Sequence, residues 1–325
     1  MSKPLFEIDV SRSAQSSLDA HLVFAMIDPG ACHHLSQQLR LPLGIYNVSV
    51  SRIAERVIAL CRRLETYFNA SSDLSGLQKE RDLRTELIDF MELAIYAAAE
   101  HVDDIDSIAK GFFRHGSRLE KNVAYRELNS KVKNHKRYLS TAANAIKHSQ
   151  SRLRLFSCEF QQPGIRGCLH GYFVEGVENG VVGPNKLFHR QQEVFSVTTL
   201  VWEIITFVLR CSRDLRAFLS SEAACLSGPV DVRFERFANA VVAAARLPLY
   251  TFGEEHPFSR STVRIETSSD EPLGLDSKLY GSIKRPWSVS PAPMFGPDQS
   301  EFEGDGSSKT FHFVHPKNVS FHHWQ

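Results

Sequence analysis

The run Tyr138-Leu139-Ser140-Thr141-Ala142-Ala143-Asn144-Ala145-Ile146-Lys147-His148, followed shortly by Arg152-Leu153-Arg154-Leu155-Phe156-Ser157-Cys158-Glu159-Phe160, decides how this chain is read. In the first part Tyr138, Leu139, Ala142, Ala145 and Ile146 recur every three or four positions, the period of one helix face. In the second part apolar and polar residues alternate for much of the length, and the residue types favour strands. Helix gives way to strand between His148 and Arg152.

Working back from this junction, the helical period persists. Ile53, Val57, Leu60, Cys61, Leu64 and Phe68 predict a helix over 48–69. Leu83, Leu87, Phe90, Met91 and Ala94 predict a second over about 77–99, with the polar cluster at 69–76 as the turn between them. Ile105, Ile108 and Phe112 predict a short third helix closed near Gly116, and 120–150 is helix-prone throughout. At the start, Phe6, Ile8 and Val10 alternate as a short strand. A brief helix over 14–26 ends at the breaker Asp28-Pro29-Gly30.

Working forward, Pro163-Gly164 ends the first strand and 166–177 alternates again. Asn179-Gly180 then supplies two residues that accept positive φ, a strong hairpin signal. Three antiparallel strands are expected, the last ending near Phe188. With Glu178 opposite Val181, His170 falls opposite His189. Helical periodicity returns over 195–219 and 232–245, the latter stopped at Leu247-Pro248. The most apolar window, 194–209, contains Glu203 and several hydroxyls and is shorter than the roughly 20 apolar residues of a membrane span. It reads as a buried helix. Beyond Thr267, Ser, Pro, Gly and Asp dominate and branched apolar residues are few, too few to offset the entropy of ordering.

The expected fold class is therefore α+β, predominantly helical: a helical bundle with a mid-chain three-stranded antiparallel β region. A single domain spans 1–266, with helices over about 48–150, the β region over 151–189 and helices over 195–246. A loosely ordered tail follows over 267–325, with a terminal strand over 310–314.

Composition limits the function classes. Apolar residues make up 42% and charged residues 23%, an ordinary globular balance, and the net charge of +1 supplies no whole-protein field. The six cysteines (Cys32, Cys61, Cys158, Cys168, Cys211, Cys225) include no C-x-x-C pair, and Met-Ser-Lys-Pro leads into no apolar signal core. Reduced thiols in a soluble, cytoplasmic protein are expected, with no membrane partner. No phosphate-binding loop, H-E-x-x-H, G-x-S-x-G elbow or zinc-finger spacing occurs. Gly164, Gly167 and Gly171 fall within the predicted hairpin, not between a strand and a helix. Cys32-His33-His34 is the tightest cluster of soft ligands, but adjacent residues of regular structure cannot all face one metal, and it reads as a loop.

The near-zero total hides a local asymmetry. Residues 80–106 hold nine acids against two basic residues, while 114–154 hold eleven Lys or Arg against Glu120 and Glu127. In one reading the two segments pack with opposite charges facing, as surface ion pairs. In the other the basic segment faces solvent and binds nucleic acid or another polyanion, through Lys131, Lys133, Lys136, Arg137, Asn144, Arg152 and Arg154. Within it, Asn144 and His148 share a helix face with Lys147 beside them, and Arg152 and Arg154 alternate onto one sheet face.

Such a set suits proton transfer on a phosphodiester, with His148 as acid or base and Lys147 stabilising developing charge. The same Lys147 and His148 also suit the carbonyl end of a helix through its dipole. His170, His189 and Glu159 form a second candidate, a three-ligand site for a divalent metal. No cofactor is otherwise predicted. Three classes of function follow: a soluble polyanion- or nucleic-acid-binding protein, a hydrolase or nuclease centred on His148 or His170/His189, and a scaffold presenting the apolar helix 195–219 to a protein partner or a second copy.

Overall fold

Helices α2 (Pro42–Ala70) and α3 (Arg81–Lys110) are the longest elements of the computed structural model. It describes residues 18–70, 81–149, 151–162, 165–178, 181–190, 194–222, 235–252, 288–289 and 319–323. The two helices run antiparallel: Arg52 pairs with Glu100 and Asp104, and Arg63 pairs with Glu86. Their seam is lined by Val50, Ile53, Val57, Leu60 and Leu64 from α2 and Leu87, Met91, Ala94, Ile95 and Ala98 from α3, all buried. The second and third predicted helices are one. The buried stripe runs on through Ala98, His101, Ile105 and Ile108, and no Gly or Pro interrupts it before Gly111. The apparent gap was His101, a polar residue at a core position.

The helix-prone stretch that follows divides into α4 (Gly116–Lys121), α5 (Val123–His135) and α6 (Arg137–His148). Asn122 caps α5, its side chain accepting from the Tyr125 N–H at 2.7 Å. At Lys136 the backbone stays in the right-handed region (φ −69°, ψ −16°). Lys136 N bonds Val132 O and Ser140 N bonds Lys136 O, so the helical spacing crosses the α5–α6 junction.

Strands β1 (Leu153–Gln162), β2 (Ile165–Glu178) and β3 (Val181–Pro184) form the expected antiparallel meander. Glu178 lies opposite Val181, as the Asn-Gly turn requires. The third strand stops at Pro184, short of Phe188. Asn185 then caps the short helix α7 (Lys186–His189), accepting from Leu187 N at 2.9 Å. A further short strand, β4 (Phe195–Ser196), pairs with β2 at Gly171 and Tyr172. Gly171 is needed there: a Cβ would lie 2.8 Å from the Phe252 ring and closer still to Val194.

Helix α8 (Val197–Glu222) runs through the centre, with every residue from Val197 to Val208 buried. Ser196 opens it: Thr198 N donates to Ser196 Oγ, and Thr199 Oγ1 donates to Ser196 O. The apolar surface of this helix, expected as a scaffold's docking face, is covered by the chain's own elements. Among them is α1 (Asp19–Phe24), whose Ala20 N donates to Ser212 Oγ at 3.0 Å. Helix α9 (Glu235–Ala245) packs on α2, leading to a second small sheet of β5 (Leu249–Phe252), β6 (Ser288–Val289) and β7 (Val319–His323), in the order β5-β7-β6. The predicted strands at 6–10 and 310–314, and the boundary at 266, lie outside the described residues. Among the described residues no helix is long and apolar enough to cross a membrane.

Candidate functional site

Part of the charge of the acidic helix is taken up on its other side by arginines of α2, while Glu92 lies within reach of Arg152 of the basic segment. Glu100 and Asp104 of α3 take Arg52 of α2 at 2.9 and 2.7 Å, and Glu86 takes Arg63 at 3.1 Å. Asp106 takes Lys110 of its own helix and accepts from the Tyr125 hydroxyl of α5. The basic helices meet α3 through different chemistry. The Lys147 ammonium lies 4.5 Å from the Tyr96 ring centre, a cation–π contact that leaves the charge exposed.

Leu128, Val132, Leu139 and Ala142 form one inward stripe across α5 and α6, at helical spacings of four, seven and three residues. The opposite stripe is therefore outward. It carries Arg126, Ser130, Lys133, Arg137, Asn144 and His148, all exposed, with Lys147 beside the last. Lys131 and Lys136 are half-buried instead. Lys131 bonds Glu127 at 2.6 Å and reaches Asp214 of α8 at 3.9 Å, and the Glu127 bond raises its pKa. Beside it, His135 Nε2 meets the same Asp214 carboxylate at 2.6 Å, so these two residues dock α5 on α8.

The junction between α6 and β1 gathers part of the predicted set. Asn144, Lys147 and His148 stand exposed on the last turns of α6, with Arg152 exposed just beyond. Arg154 turns inward. Its Nε donates to Glu175 Oε1 at 2.5 Å, while Oε2 of the same buried carboxylate accepts the Arg152 backbone N–H at 3.0 Å. Arg154 thus neutralises a buried acid of β2.

The histidine pair predicted in the hairpin does not form. His170 lies opposite Ser157 of β1, and the β2–β3 ladder reaches only the Glu175–Pro184 pair. Because β3 ends at a proline and the chain turns into α7, His189 leaves the ladder, and its Nε2 accepts the Val174 N–H at 2.9 Å. Its ring stacks on Phe195. His170 is wedged between Tyr67 and Phe68, at 4.5 and 4.8 Å between ring centres, with Nδ1 on Ser157 Oγ at 2.9 Å. Burial pushes both imidazoles down to about 3, so each is a neutral core residue at physiological pH. Glu159 faces Cys168 in the register, and its side chain lies outside the described residues. Among the described residues no three His, Cys, Asp or Glu side chains converge on a metal-sized site.

One polar constellation escaped the sequence reading. Ser49 Oγ lies 2.8 Å from His101 Nδ1 and donates to Asp104 Oδ2 at 2.5 Å, with Arg52 on that same oxygen. The hydroxyl has one proton, and the carboxylate takes it. His101 must then donate from Nδ1 to Ser49 Oγ. The acid holds the serine rather than the histidine, the reverse of a nucleophilic relay, so the cluster works as a polar clamp between α2 and α3. Burial lowers His101 to about 3. The signal that could have found it was spacing: His101 sits in register with Ala98, Ile105 and Ile108.

Fold and site together define a mainly helical α+β protein with an exposed basic helix face. Comparison with protein-family models, curated proteins and solved structures found no match for this chain.

Proposed function

We propose that the protein binds a phosphate-bearing polyanion along the outward face of α5 and α6. One observation carries this reading. Glu86, Glu100 and Asp104 of α3 are paired with arginines of α2, while Arg126, Lys133, Arg137 and Lys147 stand exposed on a face whose helices contain only Glu127 as an acid. Cations displayed with so few acids among them create the local field that a phosphate chain neutralises, with release of its counterions. The junction residues Asn144, His148 and Arg152 extend the same face with hydrogen-bond donors.

The test is salt-dependent binding of heparin and of labelled oligonucleotides to the full chain, read by fluorescence anisotropy. Binding that weakens steeply with salt, and that is much weaker in the Arg126→Gln/Lys133→Gln/Arg137→Gln variant, supports the reading. Unchanged affinity in that variant refutes it. The hydrolytic alternative rests on His148 alone, since His170 and His189 are separate core residues. Phosphodiester turnover that disappears in His148→Ala would favour it.

A further inference from the structure

We infer that the polyanion is a nucleic-acid duplex, held by its two phosphate backbones without base contacts; this rests on the polyanion-binding reading above. Three observations converge on it.

The first is length. From Arg126 to His148 the outward stripe covers 22 residue steps, or about 33 Å at 1.5 Å per residue. One turn of duplex repeats at about 34 Å. Hydrogen bonds of helical spacing run through Lys136, so the exposed residues keep the periodicity of one helix face from α5 into α6.

The second is the state of the aromatic rings. Proteins that hold single strands stack bases on exposed rings set in a charged groove. Tyr125 is half-buried with its hydroxyl committed to Asp106. Tyr138 is buried, its hydroxyl against that of Tyr172 and its ring against Phe188. Tyr96 lies under the Lys147 ammonium, and Phe156 is buried. Among the described residues of α4, α5, α6 and β1, no Phe, Tyr or Trp ring is exposed. A base would find no platform.

The third is relief. Leu128, Val132, Leu139 and Ala142 seat the helices in the body of the protein, so only their outer surface is offered. This surface offers mainly Arg and Lys, residues whose commonest nucleic-acid contacts are with phosphate oxygens. It can lie across the phosphate rows, where Arg, Lys and Asn donate to backbone oxygens and carry no sequence information. Binding should therefore be indifferent to sequence.

The experiment uses the full chain with labelled 20-base-pair DNA and RNA duplexes of two sequences and an unstructured oligo-dT of the same length, at 50 and 200 mM NaCl. Four phosphate contacts, from Arg126, Lys133, Arg137 and Lys147, give a log–log salt slope of about −3.6, or roughly a hundredfold weakening over that interval. Duplex bound at least tenfold tighter than oligo-dT, with the two sequences within threefold, supports the inference. The Arg126→Gln/Lys133→Gln/Arg137→Gln variant should flatten the slope to about −1. Its melting curve should match the parent, because all three side chains are exposed. DNA and RNA duplex arms show which backbone is preferred. Oligo-dT bound as tightly as duplex overturns the inference and leaves the polyanion reading standing. No binding to duplex, oligo-dT or heparin overturns both.

Discussion

Lowering the pH should unfold this protein well before its carboxylates are protonated, because four of its histidines are buried, three of them almost completely. His101, His170 and His189 are buried, and burial holds each near 3 in the folded state. In the unfolded chain each returns to about 6.5. A base whose folded pKa is depressed binds fewer protons folded than unfolded throughout the window between those values. Its contribution is intact above about 6.5 and is lost progressively as pH falls toward 3. Each histidine costs up to about 1.4 kcal/mol per pH unit in that window, so the three together cost about 4 kcal/mol per unit once the unfolded forms are fully charged.

At pH 5 the accumulated loss is about 6 kcal/mol, comparable to the whole stability of an ordinary domain, about 5–15 kcal/mol. Urea unfolding followed by far-ultraviolet circular dichroism at pH 7.5, 6.5, 5.5 and 5.0 would measure it. The unfolding free energy should fall along a curve steepening toward at least three protons per molecule, with His21 adding to it. His170→Gln and His189→Gln should each reduce that limiting slope by about one proton. A free energy flat between pH 7.5 and 5.0 would refute the burial argument, as would an unchanged slope in both variants.

Three further substitutions test particular contacts. Arg154→Met leaves the Glu175 carboxylate buried without its cation and should cost about 3 kcal/mol in urea unfolding, whereas the exposed Arg152→Met should cost under about 1. Gly171→Ala forces a methyl against Val194 and Phe252 where β4 crosses β2, so its melting temperature should drop by an amount corresponding to about 1–3 kcal/mol. Ser49→Ala removes the acceptor of the buried His101 N–H and a donor to Asp104, and should cost about 1–3 kcal/mol. Ser36→Ala, at an exposed turn, serves as the neutral control.

The failed histidine pair and the hidden histidine clamp have a common origin. Register around Asn179-Gly180 was legible, and the four β2–β3 pairs obey it. What a turn cannot transmit is how far its strands run. Pro184 and the capping Asn185 ended the ladder, and His189 turned its ring to the backbone of Val174. His101 was passed over because an apolar-stripe search discards polar residues, although a buried imidazole with one good partner occupies a core position as readily as leucine. In both cases hydrogen bonds to residues distant in sequence decided what the side chain does.

By itself the sequence determined the order of helix and strand, the change of period between His148 and Arg152, and the two blocks of opposite charge. These are local properties, set by spacing along the chain and by the conformational limits of Gly, Pro and Asn. Only the tertiary structure decided where the charges point. Either basic partner was open to the acidic helix. The antiparallel pairing of α2 with α3 brought Arg52 and Arg63 onto three of its acids and left Arg126 and Lys133 on the exposed face. A run of like charges states how much charge a segment carries; the packing of the apolar faces behind it determines what that charge meets.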